Sequence, residues 1–198
     1  MDAFDAILTR RSTRNYKPDP IEDEKLNRIL EAGRQAPSGG NNQTNHFLVI
    51  RSRVVLDNLI EMVQTAFSRM ESREDMYSSL KHSIAASKKG GYVFCYNAPV
   101  LIVVANRRDY GNNMADCACA IENMMLAANA LDLGSCWINQ LKWLNEDPEI
   151  VRYLNGLGMH DDERVYGAVS VGYPATEDGM PVRGLTPQKG NEVTFIDN

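Results

Sequence analysis

Two short segments near the start of the chain hold most of the side chains that could do chemistry. Arg10-Arg11-Ser12-Thr13-Arg14 gathers three guanidiniums and two hydroxyls within five residues. The planar fork of arginine matches phosphate oxygens two at a time, and a phosphomonoester carries nearly two negative charges at neutral pH, so this turn suits a dianionic phosphate. Ala36-Pro37-Ser38-Gly39-Gly40-Asn41-Asn42-Gln43 is a loop rich in amides. Its glycines permit positive φ and close backbone approach to a ligand. Each Asn or Gln offers a donor and an acceptor, which complements the uracil-like edge of a flavin. The pair suggests a mononucleotide held by its phosphate at one end and its ring at the other. Each segment also has a plainer reading. Arginines at a helix C-terminus complement the helix dipole, and Gly, Asn and Ser dominate ordinary turns.

Other chemistries lack their residues. No Gly-Lys-Ser/Thr follows the amide loop, and no GxGxxG follows a strand, so neither a Walker loop nor a Rossmann dinucleotide fingerprint is present. Cys95, Cys117, Cys119 and Cys136 have no zinc spacing, and all four sit in apolar stretches expected to keep buried free thiols in a reducing cytoplasm. His46, His82 and His160 form no triad or metal constellation recognisable from spacing, so no metal is expected; His46 reads as a local hydrogen bond beside the amide loop.

The elements that must position these groups follow from pattern. At 198 residues and net charge −5, the chain fits one domain and is not a nucleic-acid binder by charge. Asp2 and Asp5 interrupt any signal-peptide core, and no apolar run approaches membrane-spanning length. Asp2 caps a first helix whose Phe4, Ile7 and Leu8 share a face. A second helix is expected from about Glu22 to Gln35, stopped by Pro37. Phe47–Ile50 reads as a strand, Leu56 to Phe67 as an amphipathic helix, and Val100–Val104 as a strand covered on both faces. Residues 70–91 are weakly periodic and read as a short helix within a mobile excursion. Tyr92, Phe94 and Tyr96 read first as a strand face, or else as an aromatic lid. Met114–Leu131 is apolar almost all round, so it is central or at a subunit interface, with Gly134 as its cap. Ser135–Ile138, a helix Pro148–Asn155 closed by Gly156, and a last strand Arg164–Val171 follow. The tail from Thr176 has little core of its own apart from the strand-like Val193–Ile196.

Taken in order, Arg10-Arg11-Ser12-x-Arg14, Ala36-Pro37-Ser38-x-x-Asn41-x-Gln43, Ala98-Pro99, Leu133-Gly134-Ser135-Cys136-Trp137-Ile138, Gly172-Tyr173-Pro174 and Pro181-x-Arg183 resemble the nitroreductase family of flavin enzymes across nearly the whole chain. The resemblance implies an α+β fold, an α/β/α sandwich with a mostly antiparallel central sheet and a C-terminal extension swapped onto a partner subunit. It implies FMN, with NADH or NADPH as cosubstrate, a small-molecule acceptor, and a homodimer with its flavin sites in the interface, free of nucleic acid or membrane. Residue by residue, it assigns the phosphate and ribityl end to Arg10, Arg11, Ser12, Arg14 and Arg183. Pro37, Ser38, Gly39, Asn41 and Gln43 would lie along the ring or ribityl chain, partly from the second subunit. Trp137, Ile138, Asn139 and Gln140 would pass one face of the isoalloxazine. Many relatives carry Gly or Glu at the last two of these positions.

The leading expectation is thus an oxidoreductase that reduces a nitroaromatic, quinone or activated alkene through FMN, with the chemistry at the cofactor and no essential side-chain acid or base. The alternatives are a family member with specialised flavin chemistry (dehalogenation, dehydrogenation or flavin breakdown), a flavin sensor or carrier without turnover, and a non-flavin scaffold whose arginines bind a partner's phosphate or carboxylates.

Overall fold

From Val100 to Ala105 every side chain is apolar, and β2 (Val100–Arg107) accordingly runs through the middle of the molecule. Leu101, Val103 and Ala105 enter one core, and Val100, Ile102 and Val104 enter the other, as the alternation of a strand requires. A computed structural model describes residues 1–187 and 189–197. Among these the order is α1 (Ala3–Thr9), α2 (Asp23–Arg34), a 3-10 turn (Gly39–Asn41), β1 (His46–Ile50), α3 (Arg53–Ser68), α4 (Ser78–Lys89), β2, α5 (Asn113–Ala130), β3 (Gly134–Ile138), α6 (Gln140–Trp143), α7 (Pro148–Gly156) and β4 (Glu163–Gly172).

The four strands form one antiparallel sheet in the order β1-β2-β4-β3. Helices α2 and α5 cover one face. Helices α3, α4, α6 and α7 cover the other. The expected α/β/α sandwich is therefore present. β4 carries a bulge where its pairing steps from Val104↔Gly167 to Ala105↔Val165. Helix α5 is central: Cys117, Ala120, Ile121, Met124 and Ala128 are fully buried against α2 and the sheet.

Several expectations need correction. Residues 70–91 are not a loose excursion, because α4 packs on α3 and buries Ser83, Ile84 and Ser87. Residues 92–97 form no strand, and 94–97 are a turn; Phe94 is fully buried, while Tyr96 and Asn97 adopt positive φ. Gly134 opens β3 instead of capping α5; the left-handed residue after that helix is Asp132, at φ 61°. Gly156 is the last residue of α7, and the positive φ falls on Gly158. Val193–Ile196 forms no strand. Of the cysteines, Cys119 is exposed, and only Cys95, Cys117 and Cys136 are buried. Gly184 of the tail donates to the Thr9 carbonyl.

Gly167 sits under α5, where a Cβ would meet Ile121 Cδ1 at 2.5 Å and Trp137 Nε1 at 3.2 Å. Gly167→Ala should therefore cost about 1–3 kcal/mol through overpacking. Ile121→Val removes that Cδ1, so the double variant should lose less stability in urea unfolding than the two single losses added together. Strict additivity would mean that this contact does not limit the packing.

Candidate functional site

The basic turn is stitched to the sheet edge. Asp2 caps α1 by accepting from the Asp5 N–H, and the helix stops at Arg10 with extended backbone. Ser12 then pairs in parallel with Ser135 of β3, and the Thr13 N–H donates to the Ser135 carbonyl at 2.9 Å. Close approach here needs Gly134, whose added Cβ would lie 2.6 Å from Thr13 Oγ1. Buried Tyr16 anchors the far end, donating to the Thr13 carbonyl and bonding the Ser170 hydroxyl at 3.0 Å. Burial pushes its phenol well above the ordinary range, so it acts as a fixed neutral hydrogen-bonding group.

Three guanidiniums fan out from this strap. Arg10 Nε lies 3.6 Å from the Glu122 carboxylate of α5. Arg11 Nη1 donates to the Arg10 carbonyl at 2.7 Å, while its Nη2 is buried with no hydrogen-bond partner among the described residues. Arg14 is exposed, its guanidinium 5.9 Å from the Tyr96 ring centroid. Arg183 reaches the same end of the molecule from the tail, donating to Asn129 Oδ1, the Asn129 carbonyl and Asp132 Oδ1.

The amide loop is built on backbone conformations that side chains resist. Gly40, Asn41 and Gln43 have φ of 59°, 55° and 51°, a region that only Gly, and less readily Asn, tolerates well. Local bonds hold it. The Gln43 N–H donates to Ser38 Oγ, and Gln43 Nε2 donates to Asn41 Oδ1. Gly39 is clamped on α5, its N–H donating to Asp116 Oδ1 at 3.0 Å and its carbonyl accepting from Tyr110 at 3.0 Å. A Cβ there would lie 2.0 Å from Asn112 Nδ2. Asn41 and Gln43 are left exposed beside a cavity lined by Gly33, Arg34, Ala36, Ser38, Gln43, Asn45 and Phe47.

The third segment leaves β3. Trp137 Nε1 donates to Asn139 Oδ1 at 2.9 Å, fixing the indole against the turn, and Ile138 is buried in the α3/α4 core. Gln140 is also buried. Its Nε2 donates to the Tyr92 hydroxyl at 2.8 Å, its Oε1 has no partner among the described residues, and Tyr92 bonds Ser83 of α4. The side chain at this position thus braces α4, while Asn139 remains part-exposed.

Arg183 is held at the Asn129 end of α5 and Gly39 of the amide loop docks at the Asp116 end, while Ser12 meets β3 and Arg14 lies against Tyr96. From Asp116 to Asn129 the helix rises through thirteen residue steps, about 20 Å of axis. The cavity beside the amide loop contains none of Arg10, Arg11, Ser12 or Arg14. Two organising residues escape sequence reasoning. Asp116 and Asn129 are buried polar side chains on an apolar helix, and that contrast was their only signal. Burial pushes the Cys95 and Cys117 thiols up to about 11 and about 12, which disfavours their nucleophilic thiolate form. The histidine expectation is also corrected. His46 bonds Glu163 rather than the loop, and His46, His160 and Glu163 form a cluster of metal-ligating groups. Their separation in sequence hid it.

Comparisons with known proteins agree with this geometry. A family model described as the nitroreductase family matches residues 7–173. A Bacteroides fragilis nitroreductase crystallised with bound FMN is 38% identical, superposes with a TM-score of 0.86, and covers 100% of both chains. An Archaeoglobus fulgidus protein named "Putative NADH dehydrogenase/NAD(P)H nitroreductase" is 34% identical over 171 residues, 86% of this chain and 84% of its own. A Rhodospirillum rubrum protein named 5,6-dimethylbenzimidazole synthase is 27% identical over 197 residues, covering 91% of this chain and 86% of its own.

Asn129 joins α1 to the tail: its Nδ2 donates to the Ala6 carbonyl and Thr9 Oγ1, and its Oδ1 accepts from Arg183. Asn129→Leu keeps the volume but strands those groups, and should cost about 1–3 kcal/mol. Arg183 keeps its bonds to the Asn129 carbonyl and Asp132 but loses its Nε tether, so the chain should also be more readily cut there by trypsin. Unchanged cleavage kinetics would mean that the tail is held by other contacts.

Proposed function

This chain belongs to the nitroreductase family, and from that membership we propose that it is an NAD(P)H-dependent flavin oxidoreductase that holds FMN in a single domain and works as a cytoplasmic homodimer. The observation that carries the reading is the whole-length likeness to an FMN-bound nitroreductase. The chain's own residues fit the cofactor. Arg11 Nη2 is buried without a partner among the described residues, so a phosphate oxygen there would satisfy a donor that is otherwise costly to leave bare. Arg10, Ser12 and Arg14 stand on the same strap as Arg11, and Arg183 is tied beside the end of α1 through Asn129, so these are the groups that would supply the remaining donors to the dianion.

The chemistry FMN supplies when bound is transfer of two electrons from NADH or NADPH to a nitroaromatic, quinone or related small acceptor, in two half-reactions that alternate at one site. The work of the protein is then orientation. Trp137, Ile138, Asn139 and Gln140 would flank one ring face, with Trp137 held by its bond to Asn139 and Gln140 locked to Tyr92. Pro37, Ser38, Gly39, Asn41 and Gln43 would reach the flavin of a second copy, because on one chain they dock at the end of α5 away from Asn129 and Arg183. Exposed Phe4, Ile7 and Leu8 on α1, with Phe195 and Ile196 in the tail, supply apolar surface for that association. The mechanism calls for no side-chain acid or base.

Purified protein should be yellow. NADH or NADPH should bleach it under argon, and menadione should restore the colour; a bound flavin that neither nicotinamide reduces would point instead to a sensor or carrier. Site sharing is tested by complementation. Arg11→Ala and Gln43→Ala homodimers should each bind FMN roughly 10- to 100-fold more weakly. Co-assembled heterodimers carry one intact and one doubly altered site, so they should recover about half the wild-type activity. Heterodimers as inactive as their parents would overturn the shared site.

A further inference from the structure

His46, His160 and Glu163 are the one group of three metal-ligating side chains that converge among the described residues, with their ligand atoms all within 4.8 Å of one another. Three separate parts of the fold supply them. His46 opens β1, Glu163 opens β4, and His160 lies in the loop after α7. Between the two strands, β2 presents Ala105, paired with His46 on one side and Val165 on the other. Glu163 is buried, its side chain only 6% exposed. Its Oε2 accepts the His160 backbone N–H at 2.9 Å and contacts His46 Nδ1 at 2.7 Å. One imidazole would satisfy that carboxylate. The second, His160 Nδ1, is nevertheless turned to Glu163 Oε1 at 3.7 Å, beyond a hydrogen bond, with its ring centroid 5.1 Å from that of His46.

That spacing is what a tetrahedral ion asks for. With bonds of about 2.0–2.2 Å to nitrogen and oxygen, neighbouring ligand atoms sit roughly 3.4 Å apart. The 3.7 Å contact is to Oε1 and the 2.7 Å contact to Oε2, and all the ligand atoms lie within 4.8 Å of one another, so side-chain shifts of about 1 Å would close the three groups on one ion. Imidazole nitrogens favour zinc over magnesium or calcium, which take oxygen shells. Exposure is graded from the buried carboxylate to the His160 side chain, which is 72% exposed, so an ion can enter and keep a water in a fourth position. The loop that carries His160 is also braced, since Arg164 donates to the Asp161 and Glu163 carbonyls and Asn155 donates to Asp161.

We propose that His46, His160 and Glu163 bind one zinc ion per chain, with water completing a tetrahedral shell. The ion joins the loop after α7 to the starts of β1 and β4. His46 stands three residues beyond Gln43, so the ion also fixes the base of the amide loop. The site shares no ligand with the arginine strap and stands whether or not the flavin reading holds.

The test uses the full chain, carrying whatever flavin it purifies with, stripped by chelator and titrated with zinc chloride in a calorimeter. The wild type should bind one ion per chain and gain thermal stability as zinc is added. His160→Ala, chosen because that side chain is exposed, should fold normally and bind zinc at least tenfold more weakly. His46→Gln should behave likewise. Cobalt should give the intense visible bands of a low-coordinate nitrogen–oxygen site in the wild type, absent in His160→Ala, and magnesium should give no binding heat. Zinc binding of equal strength in wild type and His160→Ala, or none in the wild type, overturns the proposal.

Discussion

The structure turns on helix α5, which must lie buried between the sheet and α2 while carrying two polar side chains, Asn129 and an Asp116 whose Oδ1 is bonded and whose Oδ2 has no partner among the described residues. Asp116 near its start accepts the Gly39 N–H, and Asn129 near its end engages Ala6, Thr9 and Arg183. Buried polar groups are expensive without partners, so these two residues dictate where the neighbouring loops rest. The amide loop and the end of α1 with Arg183 are thereby placed at opposite ends of one rigid rod. Their relative position is inherited from helix geometry rather than from contacts between the loops themselves.

The amide loop adds a second constraint. Three residues in left-handed conformation within four positions cost free energy that an ordinary connector would avoid. They persist because Ser38, Asp116 and Tyr110 over-determine the backbone. The result leaves the Asn41 and Gln43 side chains facing outward on a backbone already fixed. Such preorganisation lowers the entropy lost when a ligand is engaged.

Much of this was legible in the sequence. The continuous apolar run of β2, the all-round apolar character of α5, the Asp2 cap and the order of the site motifs carried over directly, because periodicity and local chemistry were enough. Helix α4 was obscure because two of its three buried residues are serines, Ser83 and Ser87, which read as solvent-facing. Gly134 looked like a helix cap; its true constraint is the approach of Thr13, a contact across more than a hundred residues. The His46–His160–Glu163 cluster depends on strand order, and no spacing rule reports that. Gln140 could be placed near the ring segment by motif, but its inward turn onto Tyr92 depends on where α4 packs.

The pairing of Ser12 with Ser135 has a consequence unrelated to ligands. β3 is one of the two edge strands of the sheet, and the strap meets it at Ser135 before crossing to Tyr173 and Pro174 beyond β4, occupying main-chain groups that could otherwise template pairing with another polypeptide. The residues that gather positive charge thus also shield a vulnerable border. A chain truncated before Tyr16 would expose a naked strand rim and be prone to self-association during synthesis and storage, quite apart from any loss of redox capacity.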